Sequence, residues 1–375
     1  MKIFFNLVIL SVLVSLLSGC GQTKPDWVVS PGRVNDYELK KEIKKFQLLR
    51  EKLPNSNKKL KIIGHGAGSY RHYPMAINDN DFLMGNKAKA KHITHLIDDS
   101  FEFNNIDAVE IDAQLPPLSH ELCSKKDSSD KSCSFAIHDT PDWSLVSNSR
   151  VPNSIKFLRK NTVRAVLNHF VERTYHEQGK QVYLEVKCTD KVDPNVMECI
   201  TAGKRVAEDI KDIIKNNVLE GKKNWLTIIS FFPDALGAFR SELEKIQLHN
   251  KVDYGLIAGH DTKGLIGWLG LKEKWAQAKG RVPEFVDRIK NFAIEKYWLN
   301  QVWFSTRGIS GSSSVFKKID LERRHKCKDD NQEVCKALEY NVSSYDRGWT
   351  SFEEDLTGDE KFSGNLVSIM IDVDD

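Results

Sequence analysis

The chain has almost no excess of charge of either sign: 55 Lys and Arg stand against 52 Asp and Glu over 375 residues, a formal +3. A surplus that small argues against nucleic acid as the main partner, because holding a polyanion takes a concentrated cationic surface. The sequence also lacks CxxC spacing with nearby paired histidines, so its seven cysteines do not offer the usual ligand frame of a zinc site. No repeat of fixed period is present. The apolar run from Ile3 to Leu17 is short for a stable membrane span. What is there is a chain with 40% hydrophobic residues, long enough to bury a substantial core in one large domain or two ordinary ones.

That apolar run follows one basic residue and ends in Leu17-Ser18-Gly19-Cys20, a signal-peptide pattern. Its small-residue end at a cysteine resembles the bacterial lipobox, where Cys20 would be lipidated and become the mature N-terminus; an uncleaved N-terminal anchor is the alternative. On the lipobox reading, residues 1–19 are a lipoprotein signal and 20–57 are the lipidated cysteine with a tether and helix. Residues 58–375 are then the folded domain, exported and membrane-anchored, facing the periplasm or cell surface. An oxidising compartment favours pairing of the other six cysteines. Sequence neighbours suggest Cys123 with Cys133, Cys188 with Cys199, and Cys327 with Cys335.

Short runs rich in Val, Ile and aromatics recur at 59–66, 108–115, 134–140, 181–188, 225–232, 252–261, 300–306 and 365–373. Helical patterns lie between them at 87–103, 153–178, 194–217, 234–247 and 283–298, with shorter pieces at 263–279 and 314–340. Alternation of strand and helix predicts an α/β fold, and the strand count favours a (β/α)₈ barrel over an open doubly wound sheet. The polar stretch 116–134 breaks the rhythm and reads as a long, disulfide-tied active-site loop.

In AVEIDAQL, at 108–115, Glu110 and Asp112 occupy alternate positions and so share one face of a strand. Two neighbouring anions repel, and a hard divalent cation such as Mg²⁺ or Ca²⁺ between them removes the conflict; a solvated polar strand face is the plain alternative. In a barrel, chemistry gathers where the strands end. His65 ends the first run, His138-Asp139 the third, and Glu185 and Lys187 stand on the fourth. Each has an ordinary reading too: a core histidine, a turn, a same-face ion pair. Their placement on successive strand ends joins them into one candidate site.

These residues carry a family resemblance. HGAGS at 65–69, AVEIDAQL, FAIHD at 135–139, YLEVK at 183–187 and IISFFPDALGAFR at 228–240 resemble, in order, the motifs of the glycerophosphodiester phosphodiesterase family. VWFST is similar to that family's tryptophan-bearing seventh strand, and SIMIDVDD to its last, so the resemblance spans about residues 59–375. It implies a (β/α)₈ TIM barrel of the PLC-like phosphodiesterase type, binding one divalent cation, Mg²⁺ or Ca²⁺, and hydrolysing a phosphodiester such as a glycerophosphodiester or phospholipid headgroup. Carried over, Glu110, Asp112 and Glu185 would hold the metal, and His65 and His138 would be the acid/base pair. Lys187 would face the phosphate, and Trp303 would contact substrate.

The chain departs from the family at its start, where His-Arg-Gly followed by Pro-Glu-Asn-Thr is replaced by His65-Gly66-Ala67-Gly68 and SYRHYPMAINDND. Arg71, or the backbone N–H groups of the glycine-rich turn, would then have to meet the phosphate. This departure and the cysteine-tied insertion before His138 leave room for the related phospholipase D toxins of sphingomyelinase D type. HGAGSY is also similar to the first-histidine segment of phosphatidylinositol-specific phospholipase C, against which the three carboxylates count. A surface lipoprotein whose barrel only binds is the non-enzymatic alternative.

Overall fold

Strands form where short apolar runs are hidden on both faces, as parallel pairing under a helical layer requires. They are β1 Lys61–Gly64, β2 Ala108–Ala113, β3 Gln181–Val186, β4 Leu226–Ser230, β5 Asp253–Ala258, β6 Gln301–Ser305, β7 Glu339–Ser343 and β8 Leu366–Ile371. Every residue of β2, β3, β4 and β5 is buried. The coordinates are a computed structural model that describes residues 61–69, 72–74, 90–103, 106–117, 119–123, 132–138, 143–144, 146, 152–188, 196–258, 282–305, 312–330, 338–343 and 366–371.

The strands make an α/β fold with a curled, all-parallel, TIM-barrel-like sheet. Each strand pairs with the next, and β8 returns to β1 in the register Lys61↔Ser368 to Gly64↔Ile371. The connecting helices are α1 Ile93–Asp98, α2 Pro152–Lys160, α3 Val163–Glu172, α4 Val196–Asn216, α5 Pro233–Glu244, α6 Val282–Glu295 and α7 Ser312–Asp329. Outward residues of the strands, among them Val109, Ile111, Val182 and Leu184, pack against helix residues such as Val166, Phe170, Val206 and Ile210 in the main core. Inward residues form a second core of Ile63, Ala108, Tyr183, Ile229, Ile257, Trp303 and Met370. Alternation along each strand thus separates the wall of the sheet from its filling.

Three expectations are corrected. Of the run expected at 134–140, the described residues 134–138 do not supply a strand of the main sheet. Phe135 makes only isolated antiparallel bridges to Gln114 and Thr162, and His138 N–H donates to Pro74 C=O. With its backbone groups satisfied by loops, the segment turns Phe135 and Ile137 into a small satellite core with Leu122, Trp143, Val146, Ile155 and Leu158. The missing member of the ring is β7, which lies within and just beyond the end of the helix expected over 314–340. Trp303 therefore stands on β6, not on a seventh strand.

The helix expected over 153–178 is likewise two helices. The Thr162 hydroxyl caps α3 by accepting the Ala165 N–H at 3.1 Å. The Asn161 side chain ties the break to α1 by accepting the Ile93 N–H at 2.8 Å. The expected helix over 87–103 contains α1, followed by a π-turn at Asp99–Phe103. The piece expected at 263–279 lies outside the described residues, as do the signal segment, Cys20 and the tether.

Two of the three expected disulfides are present, Cys123–Cys133 and Cys188–Cys199. Cys327 is also disulfide-bonded, its partner lying outside the described residues, as does Cys335. No helix among the described residues is long and apolar enough to cross a membrane.

Candidate metal centre

The inner face of β2 carries Ala108, Glu110 and Asp112 in succession, so the apolar filling gives way to acid toward the strand's end. β3 is registered so that Glu110 faces Tyr183 and Asp112 faces Glu185. One oxygen from each of Glu110, Asp112 and Glu185 lies within 4.8 Å of the others. All three residues are buried, with relative exposures of 0%, 0% and 3%.

Lys187, just past the end of β3, brings Nζ to 3.0 Å from Asp112 Oδ1 and 3.4 Å from Glu185 Oε1. One ammonium cannot balance three buried carboxylates. Burial, then the charges of Asp112 and Glu185, pushes the Glu110 carboxyl well above the ordinary carboxylate range. Burial also pushes Glu185 up to about 7, against the pull of Lys187 and with Asp112 adding to the rise. Because the groups interact strongly, the retained proton belongs to the cluster rather than to one residue. Burial works to lower the Lys187 ammonium, yet Asp112, Glu185 and Glu110 together hold it well above its ordinary value.

Glu110, Asp112 and Glu185 could hold a metal ion. Glu110 Oε1 and Asp112 Oδ2 are buried with no hydrogen bond from any described residue, while Asp112 Oδ1 meets the Lys187 ammonium. Leaving such acceptors dry is costly, and a hard divalent ion with oxygen ligands is the species that would satisfy them.

His65 follows β1 directly and is 4% exposed, with Nε2 at 3.8 Å from Glu110 Oε2. The same carboxylate oxygen accepts the Gly66 N–H at 3.0 Å. This approach depends on the turn Gly66–Gly68, whose residues have φ of 54°, 54° and 87°. A side chain at Gly68 would collide with Ser100 Oγ at 1.9 Å, and one at Gly64 with the Gly68 Cα at 2.5 Å. Glycine is therefore required where β1 bends into the site.

His138 reaches the same place from the loop after β2. Its ring centroid is 6.0 Å from that of His65, with the planes at 81°. Its main chain is held twice: the N–H donates to Pro74 C=O at 3.0 Å, and the C=O accepts from Gln114 Nε2 at 3.0 Å. Farther back, Asp209 on α4 accepts hydrogen bonds from Ser132 Oγ, Ser134 Oγ and the N–H groups of Cys133 and Ser134. One turn away Arg205 donates to Pro116 C=O and reaches the sulfurs of Cys123 and Cys133. The stretch expected to be a disulfide-tied active-site loop is thus clamped to a helix near its cysteines.

The structure brings together His65, His138, Glu110, Asp112, Glu185 and Lys187. Trp303 lies deeper, 1% exposed in the inner apolar core, edge-on to Tyr183 at 5.3 Å, with its indole N–H donating to Gln301 Oε1 at 3.2 Å. It is a filling residue at the position where substrate contact was expected. Arg71 lies outside the described residues.

Sequence reasoning missed Tyr73, a fully buried phenol whose oxygen accepts the Asp112 N–H at 2.9 Å. Burial, then the charges of Asp112 and Glu110, raises its ionisation well above that of an ordinary tyrosine. Nothing in SYRHYP sets this residue apart. Asp209 was missed as well, since an acid on an amphipathic helix looks solvated. No protein-family model matches the chain, and no curated protein matches its sequence.

Proposed function

We propose that the chain is a metal-dependent phosphoric diester hydrolase on a (β/α)₈ barrel of the PLC-like phosphodiesterase type, acting on glycerophosphodiesters or phospholipid headgroups. The observation that carries this reading is the meeting of three buried carboxylates and one lysine with two imidazoles 6.0 Å apart. A divalent cation held by Glu110, Asp112 and Glu185 would offset charge on the phosphoryl oxygens. Lys187, at the rim of the cluster with its side chain 15% exposed, supplies a second positive charge toward a bound phosphate. His65 and His138 divide the proton transfers: one imidazole takes the proton of the attacking hydroxyl or water, and the other gives one to the departing alkoxide.

The cysteine-tied insertion before His138 leaves room for a second substrate reading within the same chemistry, the choline headgroup of a lysophospholipid or sphingolipid, as in phospholipase D toxins. Phosphorus NMR of glycerophosphocholine, lysophosphatidylcholine and sphingomyelin incubated with the soluble domain and Mg²⁺ or Ca²⁺ separates the two. No turnover of any of them, with the cation bound, would support a surface-binding lipoprotein instead.

The sign of the pH dependence follows from the raised carboxyls. Burial holds the Glu185 carboxyl up to about 7, above its ordinary 4.5, so between these values the cation-free folded cluster holds a proton that the unfolded chain has lost. Cation-free stability from this group is therefore greatest at acid pH and declines as pH rises through about 7. Cation binding must expel that proton. Mg²⁺ affinity should fall about tenfold per pH unit on the acid side. Calorimetric titrations at about pH 6 and about pH 8 check this, and equal affinities would contradict it.

The proposed location is a membrane surface reached through lipidated Cys20. In Cys20→Ser, the protein should be released or remain as an unprocessed precursor. Unchanged membrane retention with a normal mature N-terminus would refute the lipid anchor.

A further inference from the structure

We infer that Tyr73 is a positioning residue of the carboxylate site: its phenol replaces a strand partner that β2 has lost, and with Pro74 it sets Asp112 against His138. This rests on the phosphodiesterase reading of the site.

β1 pairs with β2 only as far as Gly64↔Val109, after which the chain bends away at His65 into the left-handed turn. β2 continues for four more residues. Along its end the alternate carbonyl of Ala113 faces β3, where it accepts the Lys187 N–H at 3.2 Å. The Asp112 amide therefore points to the opposite side, where β1 has ended. A buried N–H left there would be unsatisfied, and a strand end with no partner on one side would splay.

Tyr73 fills that position with its hydroxyl oxygen, 2.9 Å from the Asp112 nitrogen and fully buried. The next residue completes the link, because Pro74 C=O accepts the His138 N–H at 3.0 Å. A single dipeptide thus holds the backbone of a metal-ligand residue through one member and the backbone of an acid/base histidine through the other. Neither Tyr73 nor Pro74 needs to touch substrate. Their joint contacts fix the distance between the carboxylates and the imidazole.

The test is Tyr73→Phe, which removes one oxygen and keeps the ring. Mg²⁺ and Ca²⁺ titrations and steady-state hydrolysis are measured beside wild type and Tyr175→Phe. Tyr175 is a suitable control because its phenol also bonds carboxylates, those of Asp98 and Glu102, on the outside of the sheet. Loss of an outer partner of a metal ligand costs roughly 10- to 100-fold in affinity or activity. Tyr73→Phe should show that loss in cation affinity and kcat with KM little changed, whereas Tyr175→Phe should change only the melting temperature.

Wild-type cation affinity and kcat in Tyr73→Phe, whatever its melting temperature, would overturn this inference alone. A wild type that binds no cation would overturn the site reading and this inference with it. Should Tyr73→Phe not fold, hydrogen exchange at the Asp112 amide of the wild type decides: slow exchange supports the phenol bond, and exchange at the rate of an open amide overturns it.

Discussion

Replacing His138 by alanine is expected to lower phosphodiester turnover by roughly 10²- to 10⁴-fold while leaving cation affinity near that of wild type. The two effects separate because of how the residue is held. Two of its bonds run through the main chain, from the N–H to Pro74 C=O and from Gln114 to its own C=O, and these survive truncation of the ring. What disappears is the imidazole facing His65. Single-turnover hydrolysis with calorimetry on the same preparation reads both quantities. Turnover equal to wild type would remove His138 from the chemistry, and a parallel collapse of cation binding would make it part of the metal centre instead.

Glu110→Gln should do the reverse, weakening Mg²⁺ or Ca²⁺ binding by at least roughly 100-fold, the upper end of what loss of an outer partner costs. The variant should nevertheless fold. Glutamine can keep the bond from the Gly66 N–H through its carbonyl oxygen, and it relieves the repulsion that three buried carboxylates meet when they ionise. Among like charges, a neutral group in place of one buried carboxyl relieves both its desolvation and its repulsion. Melting in excess chelator near pH 8, where the carboxylates are most fully ionised, should therefore place the variant above wild type. A lower melting temperature under those conditions would mean that Glu110 is a structural acceptor and not a member of a cation site.

The carboxylate site was legible because strand geometry is periodic. Glu110 and Asp112 must share a face, and placing Glu185 two positions before Lys187 on a neighbouring strand brings all four together wherever the strands run parallel. The histidines were legible as the polar residues that close apolar runs.

Their exact supports were less so. Phe135 and Ile137 alternate like a strand, yet their segment is claimed by partners at 114, 161 and 162 that no local pattern announces. Conversely, EYNVS reads as weakly apolar and follows a helix closely, and it becomes β7 only because β6 and β8 offer edges on both sides. Tyr73 and Asp209 lie outside any periodic argument. Each earns its role from a backbone group exposed by another element: the amide that β1 leaves behind, and the N–H groups of the cysteine loop.

The cation site is the centre of the proposal, and one measurement addresses it most directly: hydrolysis of the phosphodiester identified by phosphorus NMR, by the wild-type soluble domain, in excess chelator and after return of Mg²⁺ or Ca²⁺. The expected result is loss of turnover in chelator and its recovery with one of the two ions, together with a single calorimetric site that weakens in Glu110→Gln. Full activity in excess chelator would contradict the role given to Glu110, Asp112 and Glu185.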